Sequence, residues 1–197
     1  MKKMLLALVI VSSLSLGVRA QSKFSIGPTA GYGGSTISNY PNSKFKAAAA
    51  VGLSTVYSAA EHFGIGLDVK YSFEGAKVQN GNVQTETDLH YVRIPVKAIY
   101  FFNSYGKSLR PKIFAGPSFG ILSSAKVNSG GADVDVKSST ESFDFGVLGG
   151  VGLNYRLVKN TWLNTDVSYT HGIKEINSTG DYSNRNLMLN VGVNFGL

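Results

Sequence analysis

The sequence predicts an all-β protein: an eight-stranded antiparallel up-and-down transmembrane β-barrel that follows a cleaved signal peptide. Three observations carry this. Side chains alternate between large apolar and small or polar types with a period of two over most of the chain. The alternating segments run to about 11–14 residues, against the ~5–6 usual in globular sheets and the ~9–11 that a tilted membrane strand needs. The connections alternate between short and long, as in barrels with short periplasmic turns and longer outer loops.

Composition narrows the alternatives. Of 197 residues only 16% are charged while 43% are hydrophobic, a charged fraction well below the ~25% of ordinary soluble domains. The 11 Phe and 10 Tyr are spread along the chain, which argues against disorder. The 23 Gly show no three-residue period, so collagen is excluded, and the lack of Cys excludes disulfides and cysteine zinc sites.

Residues 1–20 read as the signal peptide. Lys2 and Lys3 precede an apolar run at 4–11, and Val18-Arg19-Ala20 ends with small residues at the cleavage positions. The apolar run is too short to span a bilayer, which takes ~20 residues. Cleavage after Ala20 leaves a barrel domain at 21–197. Its net charge is about +4, down from +7, with the basic residues dispersed, and no nucleic-acid partner is expected.

The eight strands follow in order. Residues 23–34 place Phe24, Ile26, Pro28, Ala30 and Tyr32 on one face, and 45–57 place Phe45, Ala47, Ala49, Val51, Leu53 and Tyr57. Residues 63–73 alternate most strictly, with Phe63, Ile65, Leu67, Val69, Tyr71 and Phe73 against Gly64, Gly66, Asp68, Lys70 and Ser72. Residues 89–102 set Val92, Ile94, Val96, Ala98, Tyr100 and Phe102 against Arg93 and Lys97. Residues 112–122 set Ile113, Ala115, Pro117, Phe119 and Ile121 against Lys112, Gly116, Ser118 and Gly120. Residues 142–156, 161–171 and 186–197 repeat the scheme to the end of the chain.

The short connections are 58–61, 103–109 and 157–160; the long polar ones are 35–44, 74–88, 123–141 and 172–185. The stretch 126–140 is also able to form a hairpin above the membrane. A soluble sandwich would turn its bulky apolar side chains toward a shared core. Here the opposite face is mostly small, which suits the narrow lumen of an eight-stranded tube. Hydrocarbon offers the backbone no hydrogen-bond partners, so the sheet must close. Pro28, Pro95 and Pro117 each remove a ladder donor and are expected near bulges. Tyr32, Tyr57, Phe73, Tyr100, Phe102, Phe143, Tyr155 and Tyr169 are expected to form the interfacial girdles.

Four segments resemble a known family. Leu89–Lys97 (LHYVRIPVK), Pro111–Gly120 (PKIFAGPSFG), Phe143–Gly152 (FDFGVLGGVG) and Asn184–Phe195 (NRNLMLNVGVNF) are similar to strands of the porin-like, PorT-type outer-membrane barrels of Bacteroidota. The resemblance covers essentially all of the chain after residue 20. It implies an outer-membrane location in a Gram-negative bacterium, Sec-type export, contact with outer-membrane lipid and lipopolysaccharide, and use of the barrel-assembly machinery. It implies no catalytic motif. The alternating Leu189, Val191, Val193, Phe195 and Leu197 resemble the C-terminal signal that this machinery reads, with Leu197 where an aromatic is usual.

For chemistry, Asp68, Lys70, Arg93, Lys97, Lys112, Asp144, Arg156 and Asp166 fall on the small-residue face. Charges in a narrow tube must pair, so ion pairs with trapped water are expected, and folding the third and fourth strands together sets Asp68 near Arg93. This network either plugs the tube or lines a thin ion path. His90 and His171 fall near the outer rim, where Glu86, Asp88, Glu141, Asp144 and Glu175 share their level with Ser142 and Ser168 nearby; His62 lies at the opposite end. No short spacing joins them into a triad. The reading is therefore a non-enzymatic barrel, without cofactor or metal, that acts structurally or through its outer loops toward an unnamed ligand. The alternatives are a small-solute channel or a transport or secretion accessory.

Overall fold

The computed structural model describes residues 23–80, 83–129, 131–176 and 182–197; the signal-peptide reading at 1–20 lies outside them. Among these, eight long strands run in chain order: β1 (Phe24–Ile37), β2 (Lys46–Tyr57), β3 (Phe63–Asn80), β4 (Val83–Phe101), β5 (Leu109–Ser129), β6 (Phe143–Val158), β7 (Thr161–Gly172) and β8 (Asn184–Gly196). Each pairs antiparallel with the next, and β8 pairs with β1, so the sheet closes with no lateral edge. Following one row of pairs round the wall leads from Phe24 through Tyr57, Ile65, Ala98, Ala115, Gly149, Tyr169 and Leu187 back to β1 at Gly34, ten residues further on. Such a stagger inclines the strands by roughly 35–45° to the axis.

The alternation becomes an inside and an outside. Val51, Ile65 and Tyr32 are 56%, 54% and 68% exposed, a surface whose exposure to water would be prohibitive over a whole belt. Asp68, Lys97, Lys112, Ser118 and Asn194, from the other face, are all buried. The lumen is not uniformly small and polar, however. Toward the end where Phe24 and Leu197 lie, here called the terminal end, Val56, Ile99, Phe101, Phe114 and Leu148 pack into an apolar plug inside the tube. Toward the other end, Ile37, Ala76, Leu89, Tyr91, Leu122, Ala125 and Ile176 form a second cluster.

Two of the expected loops are largely strand. Residues 74–88 continue β3 to Asn80 and begin β4 at Val83, and β5 runs on to Ser129. Residues 126–129 then pair with a short strand, Ala132–Asp135, in the hairpin foreseen as an alternative for 126–140. The reason is a reversal of polarity. Within the apolar belt the outward positions are greasy and the inward ones polar. Beyond Phe73 the outside is water, so Lys77, Gln79, Glu86 and Lys126 point outward while Ala76, Val78, Leu89 and Ala125 are buried inside. Polar composition therefore disguised regular strand as loop.

The prolines also depart from expectation. At Pro28, Pro95 and Pro117 the ladder skips rungs, but the register is the same on both sides, so these are gaps and not bulges. The register shifts lie elsewhere, between His90 and Tyr91 on β4 and between Arg156 and Val158 on β6. The first of these lets β5 change its inward parity from Leu122 to Ala125.

The closing seam depends on absent side chains. A Cβ on Gly33 would strike the Leu187 carbonyl, and one on Gly27 the Val193 carbonyl, both backbone atoms of β8. Gly33→Val is expected to prevent closure of β1 on β8. Loss of the heat-dependent shift that a folded barrel shows on a detergent gel checks this; a retained shift would show that the seam can yield.

Candidate functional site

The tube is filled at mid-height by paired charges. Arg93 on β4 grips Glu74 on β3 with both arms of its guanidinium, Nε to Oε1 at 2.8 Å and Nη2 to Oε2 at 2.5 Å. Its Nη1 donates to Asp144 on β6 across the lumen. Asn184 Nδ2 on β8 donates to the same Asp144 carboxylate at 3.3 Å and to the Tyr91 hydroxyl oxygen at 3.2 Å, and the guanidinium lies 4.5 Å from the centre of the Tyr91 ring. Arg93, Glu74 and Asp144 are only 5%, 2% and 2% exposed. Fork-to-fork geometry with a third acceptor is the strong form of a buried ion pair.

A second layer lies nearer the termini. Lys97 Nζ is 2.8 Å from Asp68 Oδ2, and Lys70 Nζ is 3.7 Å from the same oxygen while donating to Asn190 at 3.2 Å. Lys112 Nζ meets Asp166 at 2.8 Å and Asn164 at 3.4 Å. The two layers together hold four carboxylates (Asp68, Glu74, Asp144, Asp166) and four cations (Lys70, Arg93, Lys97, Lys112) among the described residues. The plug is therefore neutral, as a low-dielectric tube requires. Two cavities between its side chains measure about 20 and 40 Å³, room for isolated waters.

Seven of the eight charges singled out in the sequence meet in this plug. Arg156 stands apart: it lies at the rim of the terminal end, bonded to the Ser108 hydroxyl at 3.2 Å and 5.6 Å from the Trp162 ring, because the shift in β6 falls beside it. Glu74 takes the eighth place: the alternation read from the sequence ends at Phe73, but Glu74 continues its even-numbered inward series. Asp68 does not meet Arg93. Lys70 stands opposite Arg93, and Asp68 binds Lys97. The observed register of β3 and β4 is centred between residues 81 and 82, half a residue beyond the middle of 74–88, and it sets Lys70, not Asp68, opposite Arg93.

The histidines are dispersed. His90 faces outward in an aromatic group with Phe73 and Tyr71, at centroid distances of 4.9 and 5.9 Å. His171 lies 6.4 Å from Tyr169, and the ring of His62 bonds the Phe101 carbonyl through Nδ1 at 2.7 Å. Asp144 is committed to Arg93, Ser168 accepts from Asn190 at 3.0 Å, and Glu141 pairs with Lys174 at 3.0 Å. The first two histidines belong to the girdle, where aromatic rings meet the headgroup layer. On β8, Leu189, Val191 and Phe195 are outward and exposed, in line with Val193 and Leu197.

Above the girdle a charge cluster ties three strands. Glu86 meets Lys77 at 2.9 Å and Lys46 at 3.2 Å and accepts from Gln84 at 2.8 Å; Lys46 also meets Asp88 at 2.5 Å. The hydrogen bond from Lys77, with that from Lys46, holds the Glu86 carboxyl down to about 2 against a usual 4.5. A depressed carboxylate pKa stabilises the fold above the unfolded value and loses that contribution as the folded value is approached. Protection of the amides in residues 76–79 and 84–88, measured against the free-chain exchange rate at each pH, is accordingly expected to fall between pH 4.5 and 2, and Glu86→Gln to reduce that dependence.

The profile of a family described as outer membrane protein beta-barrel domain matches residues 19–178. Among solved structures, the chain is similar to Neisserial surface protein A, with 19% identity over 89% of this chain and 98% of that one at a TM-score of 0.58. It is also similar to the outer membrane protein OprG from Pseudomonas aeruginosa, with 13% identity over 88% and 95% at a TM-score of 0.59. No curated protein matches the chain. At these identities the two structures speak for the fold alone.

Proposed function

The chain belongs to the outer membrane protein beta-barrel domain family, an outer-membrane barrel of Gram-negative bacteria, and from that premise we propose that it is a sealed membrane anchor whose outward-facing strand extensions and mouth serve surface interaction. The observation that carries this is the neutral plug. Arg93 is clamped from two sides at mid-height, Phe101 and Phe114 fill the tube below it, and the two voids beside it are water-sized. A path for solute would have to break buried ion pairs, while the hairpin at 126–135 and the extensions of β3 and β4 stand free above the belt. On this reading the terminal end faces the periplasm, the outward row of β8 is what the assembly machinery reads, lipopolysaccharide packs around the upper girdle, and no catalytic step is involved. Kinship with PorT-type barrels of Bacteroidota and Sec-type export rest on the sequence features described above.

Conductance of the purified protein in planar bilayers is the test. No discrete openings are expected, and liposomes carrying the protein should retain small solutes. Stepwise openings would replace this reading with the channel.

A further inference from the structure

Above the plug the tube widens into a cavity of about 230 Å³, several times larger than either void below it. Its walls are Ile37, Leu89, Val127, Val136 and Ile176, drawn from β1, β4, β5 and the segments that follow β5 and β7. Its lip carries Tyr40 and Tyr182, whose ring centroids lie 5.2 Å apart. Thr87, Ser139 and Thr140 bring hydroxyls to one side, and none of the lining side chains among the described residues is charged. The floor is closed: Leu89 and Ile176 pack with Tyr91, and Tyr91 rests against the clamped Arg93.

A close-packed interior leaves few voids larger than a water, and a dry cavity of ~150 Å³ lined by aliphatic side chains is already enough to hold benzene. Here the apolar lining belongs to the polarity-reversed part of the wall, so lipid does not reach it from the side. Among the described residues its open side leads away from the plug. We propose that this blind cup is a binding site for a small uncharged molecule, mainly apolar, about the size of a bicyclic aromatic and bearing a hydroxyl or carbonyl. The apolar walls take its body, the tyrosines stack on its flat face, and the hydroxyls take its polar group. A charged molecule would find no counter-ion among the described lining residues. The molecule binds and leaves by the same mouth, since the way down is sealed. This assignment rests on the sealed-anchor reading and names the ligand class of that anchor's mouth.

The test uses the full barrel in lipid nanodiscs with naphthol as the probe and naphthalenesulfonate as its charged counterpart, followed by methyl NMR. Saturable shifts are expected at Ile37, Leu89 and Ile176 with naphthol, but not at the lipid-facing Ile65 and Ile113 and not with the sulfonate. Thr87→Trp, which fills the cup from its wall, should lose the shifts. Ser139→Trp at the exposed lip provides the same test should Thr87→Trp fail to fold by the heat-shift gel, and Val134→Trp on the outer hairpin should change nothing. Non-saturating shifts spread over the lipid-facing methyls would overturn the proposal, as would shifts that survive both cup variants. Cup shifts produced by added lipopolysaccharide that block naphthol would overturn it in favour of an acyl chain, and shifts that grow with protein concentration in favour of a second copy. Each of these results leaves the conductance result untouched, so the cup can fail while the sealed barrel stands.

Discussion

Replacing Arg93 with Met is expected to destabilise the folded barrel by ~3–5 kcal/mol, the usual consequence of removing one partner from a buried ion pair. The guanidinium fills the space between β3, β4 and β6 and satisfies two carboxylates that are almost fully enclosed. Without it Glu74 and Asp144 face each other across a lumen too small to hydrate them, and Asn184 alone still donates to Asp144. Unfolding in urea from lipid vesicles, followed by the heat-shift gel, measures the loss. The decisive comparison is the triple variant Arg93→Met, Glu74→Gln, Asp144→Asn, in which no charge is left unpaired. It should recover most of the stability, because the large cost comes from stranded charge and not from the lost attraction. If the triple variant is as weak as the single one, the role of Arg93 is packing against Tyr91.

Substituting Arg for Val69 is expected to cost ~2–4 kcal/mol, the amount typical of a cation on the lipid face at the bilayer midplane. Val69 lies midway along the outward row of β3 between Phe63 and Phe73, opposite Leu53 on β2, and it is 47% exposed on the protein itself. Its side chain has no lumen to retreat into. The same change at Tyr57, on the lower girdle, should cost ~0–1 kcal/mol, since penalties fall toward the interface. At Val134, on the hairpin above the belt, it should cost nothing measurable. A penalty that varies with depth in this order locates the membrane on the molecule. Equal penalties at Val69 and Val134 would mean that the apolar belt is not in lipid.

How much was legible beforehand depends on what each feature needs. The eight strands could be read because period two is a local property, and a bilayer imposes it on every strand alike. Residues 63–73 show it without exception. The small residues of the inward face were legible for the same reason. Where the medium changes, the rule inverts, and the stretches 74–88 and 123–129 look like loop in the sequence although their alternation persists with its polarity exchanged.

The sequence by itself determined the strand count, the closed sheet that follows from it, the greasy belt with its girdles, and seven of the eight charges of the plug. Only the tertiary structure decided which charge meets which. Register is set by the geometry of each turn and by shifts such as that at His90, and a difference of one residue in a turn moves the partner of every side chain in the hairpin by one. Arg93 thereby passes from Asp68 to Glu74, Arg156 drops out of the tube, and residues from β1, β4, β5, β6 and β8 converge on a plug and a cup that no local pattern could place together.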